Sequence, residues 1–221
     1  MKLHIGNMYN IFDAHRNTID ADKMTAYMLH KFPHFGIKAK PRRELSKVHN
    51  KDFQLDEEEF LAFAKICFKY PEREMHHYCL DTLHRFKNNF TIDTLKVSEY
   101  LITHNSWWDT VDTTNTLISS PIFRKNKELH YITTTRWKDD TNMWLRRSAI
   151  ISQLKFRLDT NTELLKSVIE ANLGSGEFFI NKAIGWALRE YGDYNPEWVL
   201  DYVKRTELEP LSKREALRKI I

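Results

Sequence analysis

The feature that most constrains this chain is a rhythm of helix-start signals. Pro71 opens YPEREMHHYCLDTLHRF and is followed by Glu72 and Glu74; proline and early carboxylates both favour a first helical turn. Ser106 and Asp109 in NSWWDTVDTTN form a variant of the capping box. Asp139 to Thr141 supply a cap for TNMWLRRSAIISQL, and the break Gly174 to Gly176 precedes EFFINKAIGWALREY. Ser212 and Glu215 in LSKREALRKI read as an S-x-x-E box. Taking Pro71, Ser106, Thr141, Gly176 and Ser212 as marks gives intervals of 35, 35, 35 and 36 residues. A period of this length is the mark of helical repeats, in which each pair of antiparallel helices buries its apolar face only by stacking on its neighbours.

The second helix of each pair is visible between the marks, in LDEEEFLAFAKICFKY, TLKVSEYLITH, SPIFRKNKELHYITTT, NTELLKSVIEAN and NPEWVLDYVKRTEL. ADKMTAYMLHKF and RRELSKVHN point to an earlier unit. With only 6 Gly and 6 Pro the chain is short of turn residues for an all-β fold, and 42% hydrophobic residues allow a substantial core. The expectation is an all-α protein, one α-solenoid domain of stacked antiparallel helix pairs over residues 1–221.

Charge narrows the partners. The net charge is +4 with 34 Lys and Arg, which fits nucleic acid and, less well, an anionic membrane. No stretch approaches the roughly 20 apolar residues of a membrane span. The N-terminal MKLHIGNMYNIF lacks the apolar core of a signal peptide, so a cytoplasmic protein is expected, with Cys67 and Cys79 as reduced thiols. Neither cysteine fits a zinc pattern, and His76 and His77 in MHHYC diverge by about 100° on a helix, so no metal site is expected. Asp56 to Glu59 read as first-turn carboxylates. Gly185 costs a helix roughly 1 kcal/mol relative to Ala; it either admits a close helix neighbour or is simply tolerated.

The repeat also places side chains. Trp108 lies two residues past its mark and Asp112 six past; Arg147 lies six past the next mark and Trp186 ten past the one after. Offsets of 2, 6 and 10 fall near one helix face. Stacked helices present equivalent faces, so these four residues should converge on one surface, the concave one. Trp107 and Trp144 are assigned to the core and Arg146 to solvent. Taken alone, Asp112 could do no more than favour a helix N-terminus, and tryptophans in such helices are usually core.

SWWDTVD, WLRRSAI, EFFINKAIGWALREY and PLSKREAL resemble the DNA alkylation repair family of HEAT-like-repeat glycosylases, the AlkD-like proteins. The resemblance runs from about Ala21 to Ile220. It implies a solenoid with a basic concave groove for duplex DNA, and removal of cationic N3- and N7-alkylated purines without a conventional base-flipping pocket. By motif, Trp108, Asp112 and Trp186 become catalytic candidates and Arg147 a phosphate clamp. Lys38, Lys40, Arg42, Arg43, Lys182, Arg189 and Arg214 become candidates for the wider groove. The early segment GIKAKPRREL departs from the family pattern in placing Pro41 directly against Arg42.

The chemistry fits these residue types. An alkylated purine is already cationic and leaves as a neutral base, so little acid catalysis is needed. What remains is to stabilise an oxocarbenium-like sugar and position water, which a carboxylate does; Asp112 is given that role. Tryptophan faces attract a cation by about 0.5–2 kcal/mol, and an arginine fork matches phosphate oxygens. The expected activity is that of a monofunctional glycosylase acting as a monomer in the bacterial cytoplasm, leaving an abasic site for base excision repair, with no cofactor and no lyase step. The alternatives are a non-catalytic repeat protein binding damaged or branched DNA, and a protein-binding scaffold.

Overall fold

A computed structural model describes residues 1–220. Those residues are helical with no strand, and no helix among them is long and apolar enough to cross a membrane. The chain forms two compact units, Met1–Asn105 and Ser106 onward.

The first unit holds α1 (Lys2–Ala14), α2 (Thr18–Tyr27), α3 (Ala39–His49), α4 (Glu57–Cys67), α5 (Arg73–Arg85) and α6 (Leu95–Thr103). Helix α4 shows why such segments form. Asp56 and Glu59 close a reciprocal capping box, Glu57 to Glu59 fill the first turn, and Phe60, Phe63, Ala64 and Cys67 bury one stripe. Glu57 does more than serve a helix dipole: its Oε1 accepts from the backbone and hydroxyl of Thr91 and from the Thr94 hydroxyl.

Helix α5 pins the loop before α3. The fully buried carboxylate of Glu74 accepts backbone N–H groups from Phe35, Gly36 and Ile37 at 2.9–3.1 Å. Gly36 has φ +87°, and a Cβ there would lie 2.1 Å from the Asn17 carbonyl oxygen, so only glycine fits. The GIKAKPRREL segment then enters α3 at Ala39, with Lys38 as N-cap. Pro41 falls in the first turn, where its missing N–H removes no intrahelical bond.

The second unit holds α7 (Trp108–Thr114), α8 (Ser120–Lys125), α9 (Lys127–Trp137), α10 (Met143–Ile150), α11 (Thr162–Glu170), α12 (Phe178–Gly192), α13 (Pro196–Arg205) and α14 (Pro210–Leu217). Helices α7, α10, α12 and α14 pack in succession as one layer, and α9, α11 and α13 cover them from the other side. The covering helices share a start: Asn126, Asn161 and Asn195 are N-caps whose side chains accept from Leu129, Leu164 and Trp198 N–H, with Glu128, Glu163 and Glu197 in the first turns.

The inner helices begin at Trp108, Met143, Phe178 and Pro210, and α5 of the first unit at Arg73, so the period read from sequence is real. Its marks, however, stand two residues ahead of four of these starts. The caps of α7 and α10 are Trp107 and Asn142, not Ser106 or Asp139 to Thr141. Ser212 and Glu215 do not form a capping box. Helix α14 starts at Pro210; Ser212 Oγ donates to the Asn181 carbonyl at 3.0 Å, and Glu215 faces Lys182 and Arg189. Gly185 explains this proximity, since a Cβ there would lie 2.4 Å from Glu215 Cβ and 2.9 Å from the Ser212 carbonyl oxygen. It admits a close helix neighbour.

Candidate active site

Trp108, Asp112, Arg147 and Trp186 all lie on the inner layer of the second unit. Helix α7 carries Trp108 in its first turn and Asp112 one turn later. The local sequence is rich in threonine, which a helix tolerates here because the side chains bond backward. Thr113 donates to Asp109 O at 2.7 Å, Thr114 to Thr110 O at 2.7 Å, Asn115 Nδ2 to Val111 O at 3.1 Å and Thr116 to Asp112 O at 2.9 Å. Where α7 ends at Thr114 the helix widens into a π turn, Asn115–Ser119, a distortion common at functional sites. Asn115 Nδ2 also donates to Ser148 Oγ at 2.8 Å, tying α7 to α10.

Asp112 and Arg147 form a bidentate pair. Arg147 Nε donates to Oδ1 at 2.8 Å and Nη2 to Oδ2 at 2.7 Å. Arg147 Nη1 donates to the Phe179 carbonyl at 2.5 Å, so one guanidinium bridges α7 and the start of α12. The arginine side chain is 5% exposed and the aspartate 16%. Burial pushes the Asp112 carboxyl above its ordinary range; the Arg147 hydrogen bonds and charge pull it back down, and nearby Asp109 adds an upward push.

An aromatic cluster adjoins the pair through Phe179. The rings of Trp107 and Trp144 are 5.7 Å apart, and Phe179 lies 5.0 Å from the first and 5.2 Å from the second. The Arg147 guanidinium carbon is 5.9 Å from the Phe179 ring. The expectation that Trp107 and Trp144 are core residues needs correction: both are half-buried, and the fully buried tryptophan is Trp137. Trp108 is half-buried at the entry of α7. Trp186 is half-buried on α12 and makes no ring contact with Trp108, Trp107 or Trp144.

The basic candidates separate by environment. Arg147 is not a free phosphate clamp, because three of its nitrogens are engaged within the protein. Arg42 is likewise 6% exposed and bonded to Asp81 at 2.9 Å, while exposed Arg43 reaches the other Asp81 oxygen at 3.4 Å. Lys38 pairs with Asp20 at 3.1 Å. Glu215 gathers Lys182 at 3.0 Å and Arg189 at 2.5 Å. Lys40 and Arg214 are exposed and enter no ion pair among the described residues. Sequence reasoning missed Asp81 and misassigned Glu215 to a capping box, because a carboxylate that absorbs a distant cation leaves no local pattern. It also missed Phe179, although FF opening a helix offered a signal.

Neither ring nitrogen of His76 is open to a metal. Nε2 bonds the Tyr70 carbonyl at 2.9 Å, and Nδ1 accepts from Arg73 Nη1 at 3.0 Å. Cys67 and Cys79 are free thiols, both buried.

Residues 10–220 match the family described as "DNA alkylation repair enzyme". A solved structure described as "Predicted DNA alkylation repair enzyme from Enterococcus faecalis" is similar at 31% sequence identity, with a TM-score of 0.86 over 93% of this chain and 96% of that one. No curated protein matches the sequence.

Proposed function

Since the chain belongs to the DNA alkylation repair enzyme family, we propose that it is a monofunctional DNA glycosylase that hydrolyses the N-glycosidic bond of cationic N3- and N7-alkylated purines in duplex DNA. The observation that carries this reading is the Asp112–Arg147 pair, a carboxylate fixed in orientation by a buried guanidinium and left partly open to solvent.

Each Asp112 oxygen uses one acceptor site on Arg147 and retains another. The free sites can bind an attacking water, and the negative charge stabilises the sugar as the neutral base departs. Arg147 opposes the upward push that burial gives the Asp112 carboxyl, so its role is to position the carboxylate rather than to grip phosphate. Trp108, one turn before Asp112 on α7, presents an indole face suited to a cationic base. Trp186, which has no ring partner among the described aromatic residues, is assigned the same chemistry on α12. Exposed Lys40 and Arg214 are assigned to phosphate contact, with Lys38, Arg43 and Lys182 available once their surface pairs open.

One observation favours a second reading. A bidentate pair joining two helices is also what a purely structural tie looks like, and a non-catalytic protein binding damaged DNA would have use for one. Base release from duplex DNA containing 7-methylguanine separates the two. The glycosylase reading expects release by the wild type and at least a roughly 100-fold loss in Asp112→Asn with DNA binding retained. Binding without release of 7-methylguanine or 3-methyladenine by the wild type would establish the second reading instead.

A further inference from the structure

Beside the Asp112 site, in the same unit, lies an open cavity of about 870 Å³ lined by Arg124, Lys155, Phe156, Arg157, Leu158 and Tyr194. Thr116, which donates to the Asp112 carbonyl, also lines it. One helical turn past the carboxylate, about 6 Å along the axis, thus reaches its wall.

The lining is unusual in three respects. Arg124, Lys155 and Arg157 are exposed and none lies within ion-pair distance of a carboxylate among the described residues, although Asp159 also lies on the wall and the Lys155 charge acts on Glu190. Lys155 and Arg157 hold φ of +66° and +58°, a left-handed conformation that glycine or asparagine would adopt with less strain. Leu158 is 75% exposed and Tyr194 40% exposed, so apolar surface stands next to the cations.

The loop is nevertheless held firmly. Lys155 N–H donates to Glu190 Oε1 at 2.6 Å, its carbonyl accepts from Arg124 Nη2 at 2.5 Å, and the Arg124 guanidinium lies 4.8 Å from the Phe156 ring centroid. Strained backbone kept in place by such ties is concentrated at functional sites, and here both strained residues carry cations. The cations match a phosphate, and the adjoining Leu158 and Tyr194 match a sugar.

We propose that this cavity is a second nucleic-acid contact, taking a backbone phosphodiester of the substrate duplex between Lys155 and Arg157 with its sugar against Leu158 and Tyr194. The proposal rests on the reading of the protein as acting on DNA, and it adds an anchor beyond the residues that motif spacing singles out.

The test is binding of lesion-free duplex DNA over a salt series, with the full chain and two variants, Lys155→Gln/Arg157→Gln and Leu158→Glu. Thermal unfolding of each variant checks that the fold is intact. The expected result is a shallower slope of log affinity against log salt in the double variant, by about 0.9 for each phosphate that it no longer neutralises, and weaker binding in Leu158→Glu. An unchanged slope in the double variant together with unchanged affinity in Leu158→Glu overturns the proposal. Titration with deoxyadenosine monophosphate identifies a free nucleotide as the ligand if it binds and the double variant loses it while the DNA slope stays constant, and that outcome overturns it too. Wild-type protein whose DNA slope responds to the variants but which releases no 7-methylguanine sinks the glycosylase reading and leaves the cavity assignment standing.

Discussion

Replacing Arg147 with Met isolates what the buried guanidinium does. Methionine keeps the apolar stem and removes every donor, leaving Asp112 and the Phe179 carbonyl without the bonds at 2.8, 2.7 and 2.5 Å. Removing one partner of a buried pair costs about 3–5 kcal/mol, because the remaining charge stays desolvated. The 16% exposure of Asp112 places this case toward the lower figure. For a chain of this size that is a drop in Tm of roughly 10 °C. Asp112 can limit the loss by taking up a proton, which gives the second observable. Its carboxyl is already raised by burial and restrained by Arg147; without the guanidinium it rises further. A raised carboxyl favours the folded state most at low pH, below its unfolded pKa, and that advantage fades as pH climbs through the folded value. The variant should therefore recover stability relative to the wild type as pH falls. If an ionised Asp112 is needed for base release, the acid limb of the pH–rate profile should move to higher pH. Adding Asp112→Asn to Arg147→Met should restore much of the stability but none of the activity. The assays are denaturant unfolding at several pH values and single-turnover base release. An Arg147→Met protein with wild-type stability and an unmoved acid limb would refute the positioning role.

Three further outcomes are expected. Gly185→Ala should lower stability by about 1–3 kcal/mol, read as a lower denaturant midpoint, because its Cβ meets Glu215 Cβ at 2.4 Å; a neutral result would mean α14 yields freely. His130 is buried and stacked on Phe123 at 4.7 Å, and burial holds its imidazole down to about 4. The unfolded chain then binds the proton first as pH falls from about 6.5, so about 3 kcal/mol of stability should be lost by about pH 4, and His130→Gln should flatten that part of the profile. Trp186→Ala should slow base release from 7-methylguanine DNA about tenfold, the worth of one cation–π contact, with little change in Tm; an unaffected rate would remove Trp186 from the site.

How much of this was legible in the sequence depended on range. The period survived because each inner helix must repeat its phase to stack, and Asp112 and Arg147 met because they occupy equivalent positions one repeat apart. Helix starts were misplaced because the inner caps share no single residue type: Glu72, Trp107, Asn142, Glu177 and Glu209 hold those positions, and the recurring asparagines Asn126, Asn161 and Asn195 cap the covering helices instead. The charge assignments failed for a different reason. Arg42 looks like a groove cation in sequence, and only tertiary packing delivers Asp81 to it; Arg147 falls beside Asp112 in the repeat pattern, but a shared face does not reveal that the carboxylate takes up its donors. Lys155 and Arg157 give no warning in the sequence, because left-handed backbone at a non-glycine residue has no local signature.

The bond between Asp112 and Arg147 crosses a boundary that the chain itself draws. The carboxylate comes from one helical module and the guanidinium from the next, 35 residues later. Neither module holds both members of the pair, so any change in the spacing of the two modules would pull the carboxylate and the guanidinium apart. A chain cut in the connection between α9 and α10 would carry Asp112 on one piece and Arg147 on the other, and only reassociation of the pieces would restore the pair.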